Sequence, residues 1–362
     1  MKQDSLFVGT AKGLVEYSIG SQGIEPVEIH FQGFDISCIH QHFDGAVFVA
    51  LNHKHWGSKL FYRRRGGKEW ESLSVPQFSN EHLNVNGKPA SLRQIWSLHD
   101  GGESYPNRLW AGVEPGALFI SEDLGKTWKI VEQLWNHETR IKQKMWFGAG
   151  KDLPFVHSVL VHPEDHDTIM ISVSCAGVFL SKDSGRIWEL RNKGLKATYL
   201  PNPNPEAGYD PHILLVNKKN PSVIWQQNHC GIFNSKDSGL TWTDVSGSQG
   251  LPSYGFCLAI GEATQEAWVI PVEDETNRIP PGMKLRVFYT KDFGKTWVDN
   301  SNGLPGGNFF GIVLRNGFCK LGQKLAFGTT NGNLYFSSNK GKNWTEVSTS
   351  LAKVNYICFI KS

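Results

Sequence analysis

SEDLGKTW at residues 121–128, SKDSGRIW at 181–188, SKDSGLTW at 235–242 and TKDFGKTW at 290–297 match one pattern closely, S/T-x-D-x-G-x-T-W. A fifth copy, SSNKGKNW at 337–344, keeps Ser337, Gly341 and Trp344 but carries Asn339 in place of the acid. The first residues are 60, 54, 55 and 47 positions apart, the period of one four-stranded blade plus loops of varying length. Each copy follows an alternating segment such as GVFLS or LRVFYT and precedes another such as WKIVEQ, so it reads as the turn of a β-hairpin. The residue types suit that turn. Asp accepts hydrogen bonds from turn amides, Gly supplies a positive φ, and Trp lays its ring over the hairpin. Asp123, Asp183, Asp237 and Asp292 are therefore assigned to the turn and not to catalysis.

Working outward, the same grammar parses most of the chain. The third blade reads QIWSLHDG, RLWAGVEPG, ALFISEDLG; the fourth HSVLVHP, TIMISVSCAG, GVFLSKDSG; the fifth HILLVNKKNP, VIWQQNHCG, GIFNSKDSG. The sixth uses GFCLAIGEA, AWVIPVEDE and LRVFYTKDFG, and the seventh FFGIVLRNG, LAFGTTNGN and LYFSSNKG. A second blade, DISCIHQHFDG, AVFVALNHKHW and KLFYRRRGGKEW, has lost the motif's Ser and Asp but kept Gly67 and Trp70. At the amino end LFVGTAKG, LVEYSIG and PVEIHF supply three strands, and VNYICFIKS at the carboxyl end is a lone fourth. Sharing one blade between the two ends removes open sheet edges. The expectation is a single all-β domain over residues 1–362, a seven-bladed β-propeller with four-stranded blades whose N- and C-terminal strands share one blade and close the ring.

Composition agrees: aromatics are 12% with 13 Trp and 38 Gly, as short strands and tight turns require. With 37 Lys and Arg against 34 Asp and Glu, the net charge of +3 makes no global field for nucleic acid or an anionic membrane, and neither is expected as a partner. The run Arg63, Arg64, Arg65 reads as a solvated hairpin tip. Six cysteines at 38, 175, 230, 257, 319 and 358 show no CxxC spacing and read as buried thiols in a reducing compartment. A strand begins within the first residues, leaving no room for a secretory signal, so the expected location is cytoplasmic.

In a propeller, the loops leaving the fourth and second strands emerge on one face. Three long fourth-to-first connections, about residues 76–91, 132–154 and 194–210, are consecutive around the ring, and loops of this length act as lids or binding loops. The catalytic candidates beneath them are Glu114, His157, His212, His229 and Glu273. The ligand-binding candidates are Gln94, Trp96, Trp135, His137, Gln227 and Asn228. Glu114 with Glu273 forms a carboxylate pair for glycosidic cleavage, while the histidines with Glu114 suit a metal or an acid–base elimination. No local spacing forces a metal, so the cofactor stays unknown. NHKH places His53 and His55 on one strand face, which is two ligands and no site. Against an enzyme acting on a carbohydrate or polar small molecule stands a non-catalytic scaffold for a ligand or protein partner, presenting Trp135, Trp146 and Phe147 as an aromatic surface.

The turn motifs resemble the Asp-boxes of BNR-repeat proteins, a group of sialidases, sortilin-type domains, xyloglucan-degrading propellers and photosystem assembly factors, and the resemblance covers nearly the whole chain. GVEPGALFISEDLGKTW, LWNHETR, NKGLKATYLPNPNPEAG and QQNHCGIFNSKDSGLTW further resemble a bacterial subgroup labelled glycosyl hydrolase or WD/YVTN/BNR-like repeat protein. The resemblance implies the propeller fold; it does not carry a reaction. Sialidases place an F/Y-R-I-P arginine motif before the first Asp-box. Here Arg278, Ile279 and Pro280 follow the third, which argues against sialidase activity.

Overall fold

A computed structural model describes residues 4–20, 23–53, 55–148, 150–246 and 251–362. The protein is an all-β, seven-bladed β-propeller of four-stranded blades. Blade 1 contains β1 (Ser5–Thr10), β2 (Gly13–Gly20) and β3 (Gly23–His30). Blade 2 is β4 (Asp35–Gln41), β5 (Val47–His53), β6 (Gly57–Arg63) and β7 (Glu71–Leu73). Blade 3 is β8 (Gln94–Asp100), β9 (Leu109–Glu114), β10 (Ala117–Ser121) and β11 (Lys129–Ile130). Blade 4 is β12 (Val156–Val161), β13 (Ile169–Val173), β14 (Gly177–Ser181) and β15 (Glu189–Leu190). Blade 5 is β16 (Pro211–Val216), β17 (Ile224–Asn228), β18 (Gly231–Ser235) and β19 (Thr243–Asp244). Blade 6 is β20 (Gly255–Ile260), β21 (Ala267–Pro271), β22 (Phe288–Thr290) and β23 (Val298–Asp299). Blade 7 is β24 (Phe318–Leu321), β25 (Lys324–Gly328), β26 (Leu334–Ser337) and β27 (Thr345–Ser348). The last strand, β28 (Val354–Ile360), joins blade 1 antiparallel to β1, with Leu6 opposite Phe359 and Val8 opposite Ile357. The two chain ends thus share a blade and close the ring, as the unpaired terminal strands predict.

Two compact units are distinguished along the chain, residues 37–214 with 239–241, and residues 1–36, 215–238 and 242–362. In the first, Trp110, Val156, Ile169, Ile171, Phe179 and Trp188 pack as one apolar cluster. In the second, Trp268, Leu325, Phe327, Tyr335 and Trp344 do the same. Strand alternation sends these side chains to one face of each blade, where their burial supplies the main stabilisation. Among the described residues no helix is long and apolar enough to cross a membrane.

The turns show why the repeated motif needs its residues. Ser121 Oγ donates to Asp123 Oδ1 at 2.8 Å and accepts from the Gly125 amide at 2.8 Å. Asp123 accepts from the Thr127 amide at 2.8 Å and from its hydroxyl at 2.6 Å. Leu124 and Gly125 both have positive φ, 56° and 83°, a conformation Gly adopts without steric cost. In three copies the motif's Trp ties its turn to a preceding segment, Trp128 Nε1 donating to the Ser74 carbonyl, Trp297 to Val245 and Trp344 to Asn300, whereas Trp188 donates to Gly185 of its own turn. In the fifth copy Asn339 still accepts from Ser337 Oγ and the Asn343 amide, so the missing charge leaves the turn intact.

The Thr127 hydroxyl, followed by the turn amides and Ser121, pulls the Asp123 carboxyl down from 3.8 to about 2. A depressed folded-state pKa stabilises above the unfolded value and is lost as pH falls through the folded one. Asp123→Asn is therefore expected to flatten the decline in melting temperature between about pH 4 and pH 2, and to cost about 1 kcal/mol at neutral pH. Melting curves across that range check both; an unchanged acid limb would remove Asp123 from the balance.

Blade 7 departs from the sequence parse. FFGIVLRNG forms no strand, and the first strand of that blade is β24, which turns into β25 through Gly322 with Leu321 opposite Lys324. The positive φ of Gly322, 57°, closes that hairpin directly after FCKL. The upstream segment bonds elsewhere: Ile312 N–H to Thr330 Oγ1, Thr330 N–H to the Ile312 carbonyl, and Asn316 in a bridge with Tyr356.

Candidate functional site

Strand β8 begins at Gln94 and β9 ends at Glu114, and the antiparallel register sets these residues opposite one another. One residue upstream, the Arg93 amide donates to the Glu114 carbonyl at 2.8 Å. The Glu114 side chain is only 4% exposed, and a buried carboxylate requires partners. It has three: Trp96 Nε1 donates at 3.2 Å, Arg93 Nη1 lies 3.6 Å away and Lys151 Nζ 4.0 Å away. Both cations are half-exposed. Arg93 Nη1 also reaches Asp152 Oδ2 at 3.4 Å, so one nitrogen holds both carboxylates. Trp96 stacks on Phe155 with centroids 4.2 Å apart, and Lys151 Nζ sits 5.6 Å from the Trp96 ring. The result is one buried and one exposed carboxylate joined by a guanidinium beside an aromatic stack.

Deeper in the same unit, His157 is buried behind Phe155, with Nδ1 3.0 Å from Ser158 Oγ and 3.4 Å from Ser172 Oγ. His212 Nε2 lies 3.3 Å from Asp210 Oδ2, and Asp210 Oδ1 accepts from Ser174 Oγ at 2.7 Å. This buried Ser–Asp–His chain fixes the orientation of the His212 ring, because the carboxylate faces its ring nitrogen. Gln94 Oε1 accepts from Asn52 Nδ2 at 3.1 Å.

Other candidates are placed differently. Gln227 donates through Nε2 to the carbonyls of Asn228, Gly231 and Ser253, and Asn228 is spent on Gln226 and the Cys230 amide. These amides lock a turn and have little left for a ligand. His229 is half-buried with its ring edge-on to Tyr254, and Glu273 is exposed, accepting from the Gly282 amide. His53 ends β5 while His55 lies in the following turn, so the two do not share a strand face.

The expected aromatic surface of the 132–154 connection is also corrected. This segment forms two short helices, α1 (Glu132–Trp135) and α2 (Glu138–Ile141). Trp135 and Trp146 are each 3% exposed. Trp135 packs against Phe78 and His82 and carries Arg140 over its ring at 3.5 Å. Arg140 also donates to the carbonyls of Trp135 and Leu83, clamping this connection to the 76–91 loop. His137 caps α2 by accepting from the Thr139 amide, and burial lowers its pKa. Apolar area on a long loop buries itself against the nearest apolar neighbour, here Phe78.

Arg93, Lys151 and Asp152 were not among the sequence candidates. The signal was present, since Lys151 and Asp152 lie within the long 132–154 connection and Arg93 adjoins Gln94, but side-chain convergence is a tertiary property. As metal donors, Glu16, Glu28 and His30 in the other unit offer ligand atoms within 4.8 Å of one another. His30 Nε2 is 3.1 Å from Glu16 and 3.8 Å from Glu28, so the ring nitrogen is already engaged by these carboxylates without an ion.

No protein-family model matches the chain. In sequence it is similar to a sialidase of Bacteroides fragilis (strain YCH46), 26% identical over an alignment of 222 residues, with 54% of this chain and 38% of the sialidase covered. It is also similar to an oligoxyloglucan-reducing end-specific xyloglucanase of Emericella nidulans, 23% identical over 252 residues, 67% of this chain and 26% of the enzyme. The chain therefore spans well under half the length of either relative. In structure it resembles the periplasmic gluconolactonase of Pseudomonas aeruginosa, with a TM-score of 0.61, 14% identity and 99% of both chains covered, a likeness of fold alone.

Proposed function

We propose that this BNR-type, glycosyl hydrolase-like propeller handles a carbohydrate at the Glu114 cluster and cleaves a glycosidic bond there. The observation that carries the reading is the pair of carboxylates on one guanidinium, Glu114 buried and Asp152 87% exposed, held by Arg93 Nη1 at 3.6 and 3.4 Å. Oxygens that share a nitrogen are no farther apart than those two distances laid end to end. That span covers the separation of about 5–5.5 Å used for retention and reaches the lower end of the range of about 6.5–9.5 Å used for inversion. In this reading Glu114, shielded from water, exchanges a proton with the leaving oxygen. Asp152, in water, supports the charge that develops on the sugar ring or orients the attacking water. Trp96, partly exposed and backed by the buried Phe155, offers the apolar surface that a pyranose face covers. The likeness to a sialidase and a xyloglucanase supports a carbohydrate as the ligand class.

A second reading, a ligand-holding propeller without bond cleavage, is favoured by Arg93 already neutralising both carboxylates. Incubation with a panel of aryl glycosides, xyloglucan oligosaccharides and sialyllactose separates the two. Released reducing sugar supports cleavage, saturation-transfer signals without release support the second reading, and neither signal overturns both.

A further inference from the structure

We infer that Trp56 forms a stacking subsite for a second sugar ring, so that the ligand of the Glu114 cluster is an oligosaccharide and not a monosaccharide; this rests on the carbohydrate reading above. Trp56 lies in the turn between β5 and β6 and is 68% exposed. Hairpin turns favour Gly, Asn, Asp and Ser, and an indole this exposed adds little packing to the fold.

The turn is held in place. His53 Nδ1 accepts from the amides of His55 and Trp56 at 3.1 and 3.2 Å. The His53 ring neighbours the indole, centroids 6.1 Å apart and planes 33° from parallel, and most of the indole stays open to solvent. With its backbone amide already held, Trp56 has less freedom to lose when a flat apolar surface covers its ring. The C–H face of a pyranose is such a surface, with its hydroxyls left in water.

The base of this turn is attached to the segment that carries the carboxylate cluster. Ser58 Oγ donates to Asn52 Oδ1 at 2.8 Å and sits 3.4 Å from the Arg93 carbonyl. Asn52 Nδ2 donates to Gln94 Oε1 at 3.1 Å, and Gln94 is the register partner of Glu114. Second-to-third-strand turns of adjacent blades, those of Trp56 and Glu114, are thus joined through Arg93 and Gln94. A chain of sugars seated at Glu114 and Trp96 can continue over blade 2 onto Trp56, whereas a single ring seated at Glu114 has no use for it.

The test is titration calorimetry of the full chain with xyloglucan oligosaccharides and with their component monosaccharides, on the unaltered protein, Trp56→Ala and Trp56→Phe. The expected result is that Trp56→Ala weakens oligosaccharide binding about tenfold, leaves monosaccharide binding unchanged, and is largely rescued by Trp56→Phe. Melting curves of Trp56→Ala are expected to match the unaltered protein because the side chain is exposed. Equal oligosaccharide affinity of the unaltered protein and Trp56→Ala overturns the subsite while leaving the carbohydrate reading standing. No binding of any saccharide by the unaltered protein overturns both.

Discussion

Replacing Glu114 by Gln is expected to lower kcat by about 10²–10⁴-fold on any glycoside the protein cleaves, with a much smaller effect on KM. The amide keeps the shape and accepts the Trp96 indole N–H that the carboxylate accepts at 3.2 Å, but it cannot exchange a proton with a leaving oxygen. The fold is expected to survive. Arg93 and Lys151 lose a counter-charge, yet their side chains are 45% and 47% exposed, so water screens them and the stability change stays within about 1 kcal/mol. Asp152→Asn provides the contrast: its side chain is 87% exposed, so any loss of kcat there comes from the reaction and not from the fold. Steady-state kinetics on both variants check the assignment. If Glu114→Gln turns over at the rate of the unaltered protein, Glu114 is a structural anchor for Arg93 and the cleavage chemistry is elsewhere.

Trp110→Ala is expected to destabilise the protein by about 3–5 kcal/mol, read as a lower urea midpoint. Trp110 is fully buried on β9 and packs with Val131, Phe179 and Trp188. A Cβ placed on Gly185 would lie 3.6 Å from the far edge of its ring. The indole therefore supports the Asp-box turn of blade 4 from below, and truncation leaves a cavity where two blades meet. Its Nε1 is buried with no hydrogen-bond partner among the described residues, and such a group costs free energy in the folded state. Trp110→Phe loses part of the ring's contacts but also removes the unpaired donor, so the two effects offset and a net loss of no more than about 1 kcal/mol is expected. The ordering Ala far below Phe is the diagnostic result; equal losses would assign the support to the far edge of the indole, which Phe lacks, and not to the rest of the ring.

The architecture was legible in the chain because its determinants are local. Ser121, Asp123, Gly125 and Thr127 build their turn almost entirely from one another, and strand alternation announces its own face. Four such turns at blade spacing, with unpaired strands at both ends, sufficed for seven blades and their closure. The parse failed where no local signal ranks one apolar run above another: FFGIVLRNG and FCKL are both strand-like, and Gly322 together with the bonds of Ile312 and Thr330 decides between them.

The candidate site was legible only in part. Glu114 and Trp96 could be named because the start of the first strand and the end of the second share a rim in any propeller, and the same reasoning named Gln227 and Asn228, whose amides bond within their own turn region instead. Trp135 reads the same in sequence whether it faces solvent or, as here, Phe78. By itself, the sequence determined the repeat, the turn chemistry and the closing strand pair, since each rests on contacts between near neighbours or on a period. Tertiary structure alone decided that Arg93, Lys151 and Asp152 gather around Glu114 from separate stretches of the chain, because a buried charge selects its partners by position in space.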